Sequence, residues 1–220
     1  MSFAPLFLSL EVASIAVVIA GACGIGIAAL LAGRKLPGGE LLDGIITAPM
    51  VLPPTVLGYY VLVLCGRQST IGRAFESLTG APIVFSVTGA ILAATIGALP
   101  LVVLSARAAL EGVDPTLVRA ARTLGATPLR AFVTVELPIA LPAIAAGLVL
   151  GFARALGDFG VTLMVAGDIP GRTQTASLAI YDAISSGRER EAAFMSGVLT
   201  LVGVLAVYTA RRLTRRRHGI

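Results

Sequence analysis

The sequence predicts an all-α integral membrane protein of five transmembrane helices. Three observations lead there. Hydrophobic residues make up 56% of the 220 and charged ones only 13%, against roughly a quarter charged in a soluble domain, and the mean hydropathy is +0.92. Five apolar stretches are long enough to cross a bilayer, which takes roughly 20 residues at about 1.5 Å of rise each. Lysine and arginine gather in alternate loops, as membrane topology requires. The net charge of +5 therefore reads as topology and not as a nucleic-acid surface, because many of the basic residues flank apolar runs.

The predicted helices span about residues 9–32, 43–65, 83–106, 139–157 and 192–210. The opening stretch MSFAPLFLSLEV lacks the basic region of a cleavable signal peptide, so it is read as the start of a retained first helix. Small residues recur every fourth position in three helices: Ala16, Ala20, Gly24, Ala28 and Ala32; Gly89, Ala93 and Gly97; Ala143, Gly147, Gly151 and Ala155. Lipid offers no hydrophobic drive for helix association, so close backbone approach along such stripes supplies the packing. The second helix carries Pro49, Pro53 and Pro54 at membrane depth, and must kink or break there. Broken backbone in a membrane is tolerated where it is buried in protein or lines a watery path. With Thr55, these prolines are candidate path residues, and a plain structural kink fits equally well. Asp158–Gly167 is apolar but too short to cross. No polar linker divides the chain, so residues 1–220 are expected to form one transmembrane domain.

An outside N-terminus places Arg34, Lys35, Arg107, Arg119, Arg122, Arg130, Arg211, Arg212, Arg215, Arg216 and Arg217 inside, leaving Arg67, Arg73, Arg172, Arg188 and Arg190 outside. That excess predicts N-out, C-in, which an odd number of crossings satisfies. Arg154 and Asp158 stand four apart near the outer end of the fourth helix and can share a face. They fit an ion pair that fixes the helix end, or groups at the outer mouth of a path.

Residues 107–138 form a long polar loop on the inside. Asp114 can cap a helix with Pro115 at its first position. Leu117, Ala120, Ala121 and Leu124 then make an apolar stripe, with Arg119 and Arg122 pointing elsewhere. Gly125 ends this helix, and Thr127-Pro128 can begin another. An amphipathic helix of this kind fits either a protein partner or the lipid surface.

Several chemistries are excluded or unsupported. No GxxxxGK[ST] is present to cradle ATP phosphates, so any ATP chemistry, with its Mg, belongs to another subunit and no cofactor is expected on this chain. Asp158-Phe159-Gly160 lacks every companion motif of a kinase. Cys23, Cys65 and His218 have no partners at metal-ligand or disulfide spacing. No catalytic constellation is evident, and two classes stay open at this point, a subunit of a larger transporter and an autonomous channel or intramembrane enzyme.

The loop resembles the signature of the inner-membrane permease subunits of ABC importers that work with a substrate-binding protein. That signature reads EAA, three residues, Gly, nine residues, Ile, one residue, Leu-Pro. Here Ala120 and Ala121 match the double alanine, Gly125 the glycine, Val135 the isoleucine, and Leu137-Pro138 the closing pair, while Arg119 replaces the glutamate. The stretches LDGIITAPMVLPPTVLGYYVLV, LEGVDPTLVRAARTLGATPLR and GFARALGDFG are similar to those of the molybdate-transporting branch, with sulfate and tungstate permeases as near neighbours.

The resemblance implies a type I importer permease fold in the cytoplasmic membrane of a prokaryote. It implies a coupling helix docked on an ATPase, through Leu117, Arg119, Ala120, Ala121, Arg122, Leu124, Gly125, Pro128, Leu129, Leu137 and Pro138. The expected partners are a second copy of the chain, two ATP-binding subunits, an outer substrate-binding protein and the lipid bilayer, with no nucleic acid. The expected cargo is molybdate, with sulfate, thiosulfate or tungstate as alternatives. No helix centre carries a cluster of cations, so the path is expected to conduct without binding tightly. No regulatory domain is expected after the fifth helix.

Overall fold

A computed structural model describes residues 3–32 and 38–215, except the side chains of residues 214 and 215. Arg34, Lys35, Arg216, Arg217 and His218 lie outside the described residues. The helices are α1 (Ala4–Leu31), α2 (Gly39–Val51), α3 (Pro54–Cys65), α4 (Thr70–Thr79), α5 (Val87–Glu111), α6 (Pro115–Thr123), α7 (Pro128–Ala131), α8 (Leu137–Leu156), α9 (Gly160–Ala166), α10 (Ala176–Ser185) and α11 (Glu189–Arg215). A π-helical turn, Phe132–Glu136, joins α7 to α8.

Among the described residues, four helical stretches are long and apolar enough to cross a membrane, and α2 with α3, bent by 115°, makes a fifth when the pair is taken as one broken span. Packing fixes the direction of each pass. Val12, Ala13 and Ala16 of α1 cluster with Ala90, Ala94 and Ala98 of α5, while Ala28 clusters with Ala106 and Ala109. The two helices therefore run parallel. Something must carry the chain back between them, and α2–α3 does so despite its bend. Ile46 packs beside Leu31 and Val103, whereas Val61 packs beside Ala93, some ten residues earlier along α5. Helix α8 runs opposite to α5, with Ala140 and Ile144 near Ala106 and Leu110 and Ala155 near the Ala90–Ala98 face. The edge-to-face pair of Phe194 with Phe3, 5.9 Å between centroids, returns the start of α11 to the end where α1 begins. Five passes result.

The small-residue stripes are the seams of this bundle. Ala16, Ala20, Gly24 and Ala28 are buried in α1, Gly89, Ala93 and Gly97 in α5, and Gly147, Gly151 and Ala155 in α8. Val102 shows why. A Cβ on Gly24 would meet its Cγ1 at 3.0 Å, and one on Gly151 would meet its Cγ2 at 2.8 Å. The valine is held between two glycines on opposite helices, a separation that larger side chains would forbid.

Boundaries shift from the sequence expectation at the polar loop. Helix α5 continues past residue 106 to Glu111, and the fourth span begins at Pro128, so the connection proper is residues 112–127 with α6 inside it. The π turn has a covalent cause. Pro138 has no N–H for the Thr134 carbonyl, and the Leu137 N–H bonds to the Phe132 carbonyl instead, five residues back.

Candidate coupling helix and translocation path

Helix α6 is built to stop cleanly at both ends. Asp114 Oδ1 accepts from the Thr116 N–H at 2.8 Å and from the Thr116 hydroxyl, and Pro115 occupies the first helical position. The Thr116 hydroxyl, then its N–H, hold the Asp114 carboxyl below the usual carboxylate range, with Arg119 adding a Coulomb pull. At the other end Leu124 is the C-cap and Gly125, at φ +89°, follows it. The Gly125 N–H bonds to the Arg122 carbonyl and the Ala126 N–H to the Ala121 carbonyl, both at 3.1 Å, which is a Schellman closure. Thr127 Oγ1 then accepts from the Arg130 N–H at 3.3 Å to start α7.

None of the residues of α6 is buried. Leu117 is 48% exposed, Leu124 89% and Leu129 72%, so three large apolar side chains stand on a surface of this chain. Ala120 and Gly125 are exposed beside them, as is Pro128, and Ala121 is half-buried. The arginines behave differently from a simple outward polar face. Arg119 and Arg122 line a cleft with Val118, Glu111 and Glu136 between α6 and the bundle. Both arginines are also exposed, so the cleft is an open one, bordered by carboxylates at the end of α5 and in the π turn. Leu137 and Pro138 begin α8.

The second span breaks where its prolines require. Pro49 lies inside α2, Pro53 caps α3 and Pro54 takes its first position. Leu52 and Pro53 are extended, at ψ 139° and 136°. Prolines 53 and 54 have no N–H to give the carbonyls of Pro49 and Met50, so the break presents acceptors. Thr55, exposed at the positive start of α3, supplies a hydroxyl and an N–H beside them. Helix α3 is seated on the short α9 through two glycines. A Cβ on Gly58 would lie 2.6 Å from the Met164 Cβ, and one on Gly160 would lie 2.6 Å from the Pro54 Cβ. The apolar stretch after Asp158, too short to span, is therefore the platform for the broken helix.

Arg154 and Asp158 do pair, Nη1 to Oδ1 at 3.1 Å. Their surroundings are unequal. The Asp158 side chain is 3% exposed and that of Arg154 41%. Asp158 Oδ2 accepts from the Thr162 N–H at 3.0 Å and hydroxyl at 2.7 Å, so the carboxylate ties α8 to α9. Gly97 of α5 makes room for the pair, because a Cβ there would sit 3.3 Å from Arg154 Nη2. The stripe at Gly89, Ala93 and Gly97 was visible in sequence, but this use of Gly97 was not.

A second ion pair escaped sequence reasoning. Arg107 Nη1 donates to both oxygens of Asp43 at 2.7 Å, and its Nε donates to Glu111 Oε1 at 2.8 Å. The partners are 64 residues apart, which leaves no local signal.

Residues 24–218 match the family described as the inner membrane component of binding-protein-dependent transport systems. The chain belongs to this family. The permease is 44% identical to the molybdenum transport system permease protein ModB of Escherichia coli K12 over 96% of this chain and 94% of that one. It is 40% identical to ModB of Haemophilus influenzae, over 98% and 95%. The sulfate transport system permease protein CysT of Salmonella typhimurium is 30% identical over 94% of this chain and 75% of that one. Among solved structures, a chain of the inward-facing MetNI methionine ABC transporter superposes with a TM-score of 0.74 at 18% identity, covering 97% of this chain and 94% of that one. A chain of a bacterial alginate ABC importer gives 0.71 at 16%, covering 98% and 80%. The permease thus has the type I ABC importer fold, and it is a multi-pass component of a transport system rather than an enzyme.

Proposed function

We propose that this permease forms the path by which molybdate enters the cell, with its N-terminus outside and α6 in the cytoplasm. Two copies enclose the path, two ATPase subunits that hold ATP and Mg dock on the α6 helices, and an outer binding protein delivers the anion. The cytoplasmic membrane of a prokaryote is the setting.

The observation that carries this reading is α6. A helix capped at both ends, with Leu117 and Leu124 exposed beside arginines that border an open cleft with Glu111 and Glu136, is a knob for a protein groove. The positive-inside rule supports its side of the membrane, since α6 and the end of α11 lie at the same end of the bundle. The unpaired face of the broken span supports the pairing of two copies, because Met50, Val51, Tyr59 and Tyr60 are exposed there. Pro49, Pro53, Pro54 and Thr55 then line the path, and Arg154 stands near its outer mouth. The choice of molybdate rests on relatives that align along nearly the whole chain. The sulfate permease relative, at 30% identity, makes sulfate the second reading.

Vesicles holding the permease, its ATPase and its binding protein decide between the two. ATP-dependent molybdate uptake, competed by tungstate and poorly by sulfate, is the expected result. Sulfate uptake that molybdate does not suppress would overturn the molybdate assignment and leave the transport role intact.

A further inference from the structure

Helix α2 is the first half of the broken span, and it is held to the bundle at two successive levels. One is apolar: Ile46, 8% exposed, lies with Leu31 and Val103. The other lies about one turn nearer the α6 end and is ionic: Asp43 accepts from Arg107 through both carboxylate oxygens, with Glu111 holding the guanidinium from the other side. At its far end α2 meets the extended Leu52–Pro53 link, where the Leu52 N–H closes α2 on the Ala48 carbonyl and the Pro53 carbonyl opens α3, accepting from Val56 and Leu57. Helix α3, beyond the link, is seated on α9 instead.

Arg107 also stands next to the junction with α6. Helix α5 ends at Glu111 and α6 begins at Pro115, so residues 112–114 alone connect them. That connection is tight. The Gly112 N–H bonds to the Ala108 carbonyl and the Val113 N–H to the Leu110 carbonyl, both at 3.1 Å. Val113 is 6% exposed and packs with Leu110, Ile144 and Val118 of α6 itself. A displacement of α6 therefore reaches the last turn of α5, where Arg107 and Glu111 sit.

We propose that the Arg107–Asp43 ion pair is the linkage that carries displacement of α6 into the first half of the broken span. The inference rests on reading α6 as the helix that an ATPase moves. Arg107 is a positioning residue: it touches no cargo, and it makes α2 follow α5. The apolar cluster at Ile46 would by itself leave α2 free to pivot. The ionic contact near the α6 end removes that freedom. Glu111 orients the guanidinium, so that Nη1 is left for Asp43.

The test uses the complete transporter, permease with ATPase and binding protein, in vesicles, with molybdate imported and ATP hydrolysed measured together. Asp43→Asn and Arg107→Gln should each lower the molybdate imported per ATP hydrolysed, by about two- to thirty-fold, while subunit assembly and hydrolysis stay at the wild-type level. The exchange Asp43→Arg with Arg107→Asp restores opposite charges across the same helices, and should recover most of the ratio. A purely structural role would lower assembly or thermal stability and leave the ratio alone. The proposal is overturned if both single variants keep the wild-type ratio, or if the exchange recovers stability without the ratio. Should either single variant fail to assemble, Arg107→Lys keeps the charge and loses the fork. An intermediate ratio supports the linkage, and a wild-type ratio contradicts it. Failure of the underlying transport reading shows itself separately, as wild-type vesicles that hydrolyse ATP and import nothing.

Discussion

Gly125 shows how much one backbone angle decides. Its φ of +89° lets the chain reverse after Leu124 and bond back to Arg122 and Ala121. A Cβ at this position would meet no atom of this chain within 4 Å. The cost of a substitution is therefore conformational and not steric within the permease. Gly125→Val should destabilise the end of α6 by roughly 1–2 kcal/mol, the penalty for a side chain in the left-handed region, and Gly125→Asn should cost less because Asn tolerates it. Hydrogen exchange across residues 117–126 measures the first effect, and transport per ATP measures its consequence. Equal protection in Gly125→Val and wild type would contradict the role of the turn. This position was legible in sequence because the signal is local: Asp114-Pro115 at one end and Gly125 at the other bracket one short stripe. Arg107 and Asp43 were not legible, because their meeting depends on how two helices pack and nothing within a few residues of either announces it.

Among the elements, the broken span shows where sequence runs out. Three prolines within six residues require a break. They do not determine a bend of 115°, because that angle depends on what the second half rests upon. The platform is α9, and the contact is made by glycines at which any side chain would collide with Pro54 or Met164. Gly160→Val should displace α3 and lower stability by about 1–3 kcal/mol, as overpacking does. Gly197→Ala in α11, where a Cβ meets nothing within 4 Å, should leave stability unchanged or slightly raised. Thermal unfolding of the two variants in detergent compares them directly, and equal midpoints would contradict the close seating of α3. The fourth span was legible in its apolar body but not in its start. Arg130, Thr134 and Glu136 break the apolar run, yet the helix passes through them by changing to π register ahead of Pro138.

At the level of the whole molecule, five passes follow from parallel α1 and α5 with a return between them, and they place α6 and the end of α11 together. Charge agrees with geometry here, since the loops at that end carry the larger share of arginine. The sequence fitted either a lipid-bound or a protein-bound α6. We favour the protein partner, because Leu117 and above all Leu124 stand out from the chain while Arg119 and Arg122 border the cleft with Glu111 and Glu136. A helix lying on anionic lipid would turn its arginines outward to the headgroups and its leucines toward the acyl chains. Leu124, the most exposed of these side chains, is accordingly where docking is read most directly. A photo-reactive residue replacing Leu124, in cells that also make the ATPase, should capture the ATPase subunit and stay unreachable by impermeant reagents added outside. Capture of lipid alone, or labelling from the outside, would contradict the docking of α6 and the orientation together.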